Sequence, residues 1–238
     1  MHPGTKARLL TASTATLTTQ LFKRGLRNAF MQGVRRLGPP KPTIVPNMVG
    51  PAMTVRYIPA REDLDHLGVF ADPEHPQRKA VETARPGCVL VQDCRGDARA
   101  ACGGEILMTR LQVRGAAGMV TDGGLRDSGP IGAMAMPVFC AGPSAPLNLV
   151  LHHAVEIDAP IGCGGVAVYP GDIIVGDADG VVVLPSGIAD EVAEQAAEQE
   201  RLESFVLQRI AAGAPLPGTY PPDAETLAAY TAWRARHG

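Results

Sequence analysis

Two short glycine-rich segments carry side chains that could bind a small anion or a metal ion. The first, residues 102–105, reads CGGE, and the second, residues 121–129, reads TDGGLRDSG. In the second segment Arg126 and Asp127 stand side by side, just after two glycines. An arginine offers carboxylates a planar fork that is always charged, whereas an aspartate offers magnesium or manganese a hard oxygen ligand.

Both segments are expected at one edge of a parallel sheet. Residues 88–93, CVLVQD, and residues 118–121 each predict a short buried strand, and a helix is expected between them over 104–114. Strand, loop, helix and strand in this order are typical of a parallel βαβ unit with a right-handed crossover. Ligands in open α/β sheets bind at the carboxyl ends of the strands, where both segments would lie. The helix residues expected to face inward are Ile106, Leu107 and Leu111.

The side chains and amides of these segments suit a 2-oxo acid. The amides of Gly103, Gly104 and Glu105 would be free donors at a helix N-terminus and would suit a carboxylate. Arg126 would bind the same anion or a neighbouring carbonyl, and Asp127 and Glu105 would supply oxygen ligands for a divalent cation. Such a cation acts as a Lewis acid, and Arg126 would stabilise the enolate that forms when the adjacent carbon–carbon bond breaks. The expected class is a metal-dependent aldolase or decarboxylase.

Simpler interpretations of the same residues stay open. A Gly-Gly pair can serve a turn alone, and an adjacent Arg-Asp pair can be a solvated loop pair or form two separate salt bridges. The nucleotide-binding patterns G-x-G-x-x-G and G-x-x-x-x-G-K-[ST] are both absent. A Schiff base is disfavoured because none of the four lysines lies in either segment: Lys6, Lys23, Lys41 and Lys79.

Composition and charge indicate which kinds of partner and which cellular location to expect. The 238-residue chain has a formal net charge of -2, and its charges are interspersed. It therefore lacks the basic stripe that a duplex-binding surface needs, and nucleic acid is not an expected partner. No apolar stretch approaches the roughly 20 residues that cross a bilayer, and the N-terminal residues lack the apolar segment of a signal peptide. We therefore expect a cytoplasmic protein without a membrane segment.

The cysteines and histidines outside the two segments are expected to be structural. The five cysteines form no C-x-x-C pair and are odd in number, which indicates reduced and mostly buried thiols. His152 and His153 are expected on an ordinary surface or in the core rather than on a metal, and His66 and His75 are expected to face solvent. The cysteines are Cys88, Cys94, Cys102, Cys140 and Cys163.

The remaining pattern predicts an α/β domain over residues 1–212. A proline-linked helix over 213–238, with Leu227, Tyr230 and Trp233 on one face, is expected to pack on the same or a neighbouring subunit. Residues 59–77 look like a charged surface excursion, and Pro39 to Pro46 is too rich in proline for a helix. The other predicted elements are a helix from Ser13 or Thr11 to about Gly25, strands over 48–58, 166–169, 173–175 and 181–184, and a helix capped by Ser186 to about Ala212.

The spacing of the acidic residue and the Arg-Asp pair resembles a family motif. Glu105 is followed after twenty residues by Arg126 and Asp127, within GGEILMTRLQVRGAAGMVTDGGLRD. Together with VGPAMTVR, RGDARAACGGE and GCGGVAVYPGDIIVGDADGVVVLP, this stretch resembles the RraA-like family over about residues 11–200. That family includes 4-hydroxy-4-methyl-2-oxoglutarate aldolases, also called 4-carboxy-4-hydroxy-2-oxoadipate aldolases, which also decarboxylate oxaloacetate. It also includes regulators of ribonuclease E activity.

The resemblance implies a role for each residue of the motif. Asp127 would hold Mg²⁺ or Mn²⁺ directly or through water, and Arg126 would contact the pyruvyl part of the substrate. The amides of Gly103, Gly104 and Glu105 would receive its carboxylate. Where the aldolases typically carry aspartate, this chain has Glu105, which is one methylene longer. The aldolases also place acidic groups from a neighbouring subunit at the site, and no residue of this chain is matched to them.

The resemblance also implies a fold, an assembly and three functions. The expected fold is a swivelling β/β/α-like single domain with a mixed sheet and N- and C-terminal helices, assembled as a trimer or hexamer. The first function is a metal-dependent lyase that releases pyruvate from a 4-hydroxy-2-oxo acid, with oxaloacetate decarboxylase side activity. The alternatives are a non-catalytic regulator that binds a ribonuclease, and a lyase or dehydratase that acts on a sugar-derived acid. The excursion and the tail after Leu202 look longer than in compact members, which indicates a divergent branch.

Overall fold

The computed structural model describes residues 1–38 and 47–237, which form a mixed α/β domain. Its strands are β1 Arg35–Arg36, β2 Met48–Pro59, β3 Val89–Asp93, β4 Gly118–Thr121, β5 Gly124–Leu125, β6 Val138–Cys140, β7 Gly142–Pro143, β8 His152–Ile157, β9 Ile161–Cys163, β10 Val166–Val168, β11 Ile173–Gly176 and β12 Val181–Leu184. Its helices are α1 Pro3–Leu9, α2 Thr14–Lys23, α3 Pro76–Thr83, α4 Glu105–Val113, α5 Ser128–Ala133, α6 Ala189–Ala211 and α7 Ala224–His237. Single 3₁₀ turns lie at Leu67–Ala71, Asn148–Val150 and Ser186–Ile188.

The long strand β2 joins the two halves of the main sheet. The strand order is β1-β6-β4-β3-β2-β11-β12, and β8 also pairs with β2. β2, β3, β4 and β6 run parallel to one another, whereas β11 and β8 pair with β2 antiparallel. The carboxyl ends of the parallel strands therefore meet at one edge, which is the edge expected to carry the site.

Both faces of the parallel strands are buried, as their apolar sequences predict. Leu90 of β3 faces a cluster that includes Met108 and Leu111 of α4, whereas Val89 and Val91 face a second cluster behind the strand. Strands β9 and β10 cover that second cluster, and α1, α2 and α6 pack over β11 and β12 in a third. The strands that lead to the site are thus held on both sides.

The predicted βαβ unit is confirmed, with one error in its helix. β3 and β4 are parallel, with Leu90 opposite Met119, and α4 connects them. Leu111 is buried as expected, but the prediction that Ile106 faces inward is wrong because its exposed fraction is 81%. Met108 takes the inward position instead. Ile106 lies two residues away, about 200° around the helix, and so points to the opposite side.

The terminal helices differ from prediction in detail. The Ser13 hydroxyl caps α2 by accepting from the Thr16 amide, as expected, but α1 was not predicted. Ser186 begins a 3₁₀ turn rather than capping α6. In the C-terminal region Phe205 of α6 packs on the rings of Tyr230 and Trp233 of α7, with centroids 5.7 and 5.6 Å apart. The proline-rich segment 39–46 lies outside the described residues.

Two of the cysteines and one histidine depart from expectation. Cys94 and Cys102 are joined by a disulfide, so the prediction of five reduced thiols is wrong for this pair, whereas Cys88, Cys140 and Cys163 are free and buried. Gly123 allows the pair to meet because a Cβ at that position would lie within 3 Å of both residues. His75 is buried rather than facing solvent, whereas His66 is exposed as expected.

The described residues include no helix that is both long and apolar enough to cross a bilayer.

We expect Gly124→Ala to destabilise the fold through the packing of the loop at the end of β4. An added Cβ would lie 2.7 Å from the Ala98 carbonyl oxygen and 2.9 Å from that of Ala100, which are backbone atoms that cannot turn away. Overpacking of this kind costs about 1–3 kcal/mol. Urea denaturation followed by circular dichroism measures the free energy of unfolding. In the control variant Gly129→Ala the new Cβ would meet nothing within 4 Å, so equal losses in the two variants would contradict the prediction.

Candidate functional site

The two glycine-rich segments run side by side, joined by backbone hydrogen bonds. The Cys102 amide donates to the Gly124 carbonyl at 2.8 Å, and the Gly124 amide donates to the Ala100 carbonyl at 3.2 Å. Farther along, the Arg126 amide donates to the Gly103 carbonyl at 3.2 Å. The segments therefore meet at one rim of the sheet, as the βαβ pattern indicates.

Asp127 is held in place by the start of α4. Its Oδ2 accepts a hydrogen bond from the Glu105 amide at 3.0 Å, and its backbone is left-handed, with φ of 58° and ψ of 41°. A carboxylate at a helix N-terminus is favoured by the helix dipole, and aspartate tolerates the left-handed region better than most residues. The expectation that the Glu105 amide is free for a ligand is therefore wrong. The amides of Gly103 and Gly104 remain as candidate donors.

Gly104 is needed because the Arg-Asp pair lies against it. A Cβ at this position would lie 2.7 Å from Asp127 Oδ2 and 3.0 Å from Arg126 Cγ. Arg126 Nε and Asp127 Oδ2 are 3.5 Å apart, and the two side chains are 49% and 40% exposed. An ion pair this exposed contributes little to stability, so the pairing alone does not explain why these two side chains stand together.

A cavity of about 120 Å³ opens beside these residues. One water needs only about 10–15 Å³, so the space fits a small molecule. Gly103, Gly104, Arg126 and Asp127 line it, whereas the exposed Glu105 is not among its lining residues in the described chain. The other lining residues are Phe70, Gln77, Arg78, Ala101, Ile106, Leu107, Leu147 and Asn148.

Sequence reasoning missed the wall of the cavity that comes from the charged excursion and α3. The Arg78 guanidinium carbon lies 4.4 Å from the centroid of the Phe70 ring, and His75 packs edge-on against the same ring. Gln77 is buried, and its Nε2 donates to the Cys102 carbonyl at 2.8 Å. The excursion is thus more than surface. Its local sequence carries no signal for this wall, because the bond that ties the wall to the site joins Gln77 to Cys102, 25 positions along the chain.

Asp122 fastens the loops behind the site. This buried carboxylate accepts from the amides of Cys94, Gly96 and Gly164 at 2.7, 2.9 and 3.2 Å. Burial raises the pKa of Asp122, and the three amides act against that rise. Its role is to hold the ends of β3 and β4 to the turn after β9, which the sequence did not indicate.

The donor set at the rim fits a hard divalent cation. Asp127 Oδ2 accepts a hydrogen bond from the Glu105 amide. The hydrogen bond leaves Oδ1 of this exposed carboxylate able to bind a cation. Glu105 is the other exposed acidic residue of the two segments. Magnesium is commonly held by one or two carboxylates and several waters, so the Asp127 carboxylate with bound waters suffices for it.

A second group of potential ligands lies deeper in the domain. Within the described ranges, the only three His, Cys, Asp or Glu side chains close enough to share a metal ion are Cys94, Cys102 and His152. The cysteines are joined to each other, and His152 is held by the Asp97 carbonyl and the Arg95 guanidinium, both at 3.1 Å. Burial lowers the pKa of His152. The interpretation of His152 as a structural core residue agrees with these contacts.

Comparison with known proteins places most of the chain in one family. The model of the RraA-like family, described as Aldolase/RraA, matches residues 14–183. A protein of Halalkalibacterium halodurans that is provisionally named 4-hydroxy-4-methyl-2-oxoglutarate aldolase is 37% identical over 153 residues. The match covers 64% of this chain and 67% of that relative.

Two solved structures share the fold. Streptomyces coelicolor RraAS2, described as an unusual member of the RNase ES inhibitor RraA protein family, superposes with a TM-score of 0.72 and 30% identity over 86% of this chain and 96% of its own. An uncharacterised protein from Pseudomonas syringae pv. tomato gives a TM-score of 0.77 over 92% of this chain and 98% of its own. At 23% identity, the second likeness concerns the fold alone.

We expect Gly104→Ala to open the bond between the Glu105 amide and Asp127 while the fold survives. The new Cβ would push against Asp127 Oδ2 and against Cγ and Nε of Arg126, and both exposed side chains can move away, so the loss of stability should stay below about 1 kcal/mol. Hydrogen–deuterium exchange at the Glu105 amide should accelerate. Gly162→Ala is the control, since its Cβ would meet nothing within 4 Å. Unchanged protection of the Glu105 amide in Gly104→Ala would contradict this account.

Proposed function

Since the chain belongs to the RraA-like family, we propose that it is a divalent-metal-dependent carbon–carbon lyase. Its substrate would be a 4-hydroxy-2-oxo acid of the 4-hydroxy-4-methyl-2-oxoglutarate type, cleaved to pyruvate, with oxaloacetate decarboxylation as a side activity. The observation that carries the proposal is the Asp127 carboxylate, fixed by the Glu105 amide beside Arg126 at the mouth of the cavity. A relative 37% identical to this chain that bears the aldolase name supports it.

Asp127 would hold Mg²⁺ or Mn²⁺. When bound, the cation would supply Lewis acidity toward the keto and carboxylate oxygens of the substrate. The amides of Gly103 and Gly104 would bind the carboxylate of the pyruvyl part. Arg126 is permanently charged, so its guanidinium would stabilise the oxygen on which negative charge develops.

The bond changes of the proposed reaction balance without a further reactant. The hydroxyl on C4 loses its proton, the bond between C3 and C4 breaks, and a carbonyl forms at C4. The electron pair of the broken bond moves into the enolate of pyruvate, which then takes a proton at C3. Glu105 is exposed at the rim, where a carboxylate can exchange protons with solvent, and we assign it to this proton transfer.

We propose that the protein works as a homo-oligomer, a trimer or hexamer, with the small-molecule 2-oxo acid as its ligand. Sedimentation velocity of the purified chain tests the assembly.

A second candidate is a non-catalytic regulator that binds a ribonuclease. The likeness to RraAS2, at 30% identity over 86% of this chain, favours it. A regulator needs an exposed protein-binding surface but no competent metal site. Capture of a ribonuclease by the purified chain, with no heat of Mg²⁺ or Mn²⁺ binding in calorimetry, would favour the regulator over the lyase.

We expect Asp127→Asn to abolish catalysis and preserve the fold. Asparagine tolerates the left-handed backbone and keeps an acceptor for the Glu105 amide, but it loses the charge that would hold the cation. Pyruvate formation with saturating Mg²⁺ should fall at least about 100-fold, in the range seen when one electrostatic group is removed from an active site. Asp158→Asn is the matched control, because Asp158 is also left-handed, at φ of 55°. Undiminished turnover in Asp127→Asn would overturn the mechanism.

Removal of divalent metal gives an independent test of the same site. Treatment of the wild-type protein with a chelator should stop pyruvate formation, and excess Mg²⁺ or Mn²⁺ should restore it. Full activity after chelation, with metal content checked by atomic absorption, would refute the metal dependence.

A further inference from the structure

Arg78 is a cation in the cavity that pairs with no acidic side chain in the described part of the chain. Its Nε is buried and has no hydrogen-bond partner among the described residues, and no ion pair within residues 1–38 and 47–237 includes it. Arg78 as a whole is half-buried, and charges withdrawn from water in proteins are normally paired. Burial and the nearby charge of Arg126 lower the pKa of Arg78, but an arginine keeps its proton. The cavity thus holds a charge for which the described residues supply no anionic counterpart.

We propose that Arg78 binds a second carboxylate of the substrate and so selects 2-oxo acids that carry a further acid group. This inference rests on the proposed function, which assigns Arg126 to the pyruvyl part. The two arginines then have separate tasks. Arg126 acts at the reacting end, and Arg78 acts at the distal end.

Phe70 holds the Arg78 guanidinium in position. The guanidinium carbon lies 4.4 Å from the centre of the ring, a cation–π arrangement, and no hydrogen bond among the described residues engages Nη1 or Nη2 at the outer edge of the planar fork. Both residues line the cavity. A carboxylate accepts two parallel hydrogen bonds from such an edge, and stacking reduces the freedom that the arginine loses when it binds.

Arg78 is also tied to the loop that would bind the pyruvyl part. Its neighbour Gln77 donates to the Cys102 carbonyl, directly before Gly103 and Gly104. The distance between the two ends of the cavity is therefore set by a buried hydrogen bond and by α3. A fixed distance between two anion-binding groups selects ligands by length as well as by charge.

The charges that line the cavity favour a dianion. Arg78 and Arg126 are both positive, and Asp127 is the one carboxylate among the lining residues of the described chain. Once Asp127 is engaged with a divalent cation, neither arginine is neutralised by the protein. A ligand with a single carboxylate would leave one of them unpaired.

The test uses two ligands that cannot be cleaved. 2-Oxoglutarate and 2-oxopentanoate have the same chain length and neither has a 4-hydroxyl group, but only 2-oxoglutarate carries a distal carboxylate. Calorimetry with Mg²⁺ present should show wild-type protein preferring 2-oxoglutarate. Arg78→Gln should weaken 2-oxoglutarate binding about 10- to 100-fold, the usual range for a hydrogen bond to a charged group, and leave 2-oxopentanoate within about 3-fold. Arg78→Lys should restore part of the preference.

Arg110→Gln is the matched control, because Arg110 is paired with Glu82 on the surface of α3 and α4 and is not among the described lining residues.

An unchanged preference in Arg78→Gln would overturn the inference, as would an equal loss for both ligands or no binding of either by wild-type protein. Dissociation of the oligomer in Arg78→Gln, seen by sedimentation velocity, would also overturn it, because Arg78 would then pair with an acid of a neighbouring subunit. A preference that depends on Arg78 without turnover would retain the inference and refute the lyase.

Discussion

The hydrogen bond from the Glu105 amide to Asp127 is the contact on which the candidate site depends. It joins two segments that are more than twenty residues apart and fixes a carboxylate at the N-terminus of α4. It forms only because Gly104 has no side chain and Asp127 adopts a left-handed backbone. A non-glycine residue in that conformation costs of order 1–2 kcal/mol, which the surrounding loop contacts must offset. The arrangement is therefore imposed by the fold rather than preferred locally.

The loops can hold Asp127 in this arrangement because buried hydrogen bonds and close packing fix them to the sheet. Asp122 takes three backbone amides from two other loops, and Gly124 packs directly against the carbonyls of the facing segment. Neither glycine of TDGG has a positive φ, so a left-handed backbone does not explain them. They allow neighbouring segments to pack closely against the backbone. A buried carboxylate with three donors is costly to disturb, because its loss would leave the three amides unpaired. Rigidity at the rim of the sheet thus comes from polar contacts, whereas the strands beneath it are held by apolar packing.

The local sequence pattern predicts the strands and the helix around the site, and the side of the cavity that the two glycine-rich segments form. The strands β3 and β4, the helix between them and the meeting of the two segments follow from periodicity, glycines and the βαβ rule. Phe70, Gln77 and Arg78 were not identified, because their part in the cavity arises from contacts between distant segments. Ile106 was assigned to the wrong side because a helix of nine residues offers little periodicity. The disulfide depends on the missing side chain at Gly123, which no cysteine spacing indicates.

The charge of the cavity argues for a small anionic ligand rather than a protein surface alone. A buried donor without a partner costs about 1–3 kcal/mol, so the Nε of Arg78 destabilises the folded chain. The Arg78 guanidinium lies over the Phe70 ring in a cavity of about 120 Å³, a volume that suits a small ligand rather than a protein surface. A dicarboxylate of limited length, in contrast, reaches Arg126 at one end and Arg78 at the other. Arg78 then becomes the source of selectivity, since a ligand without the second acid leaves its guanidinium without an anion.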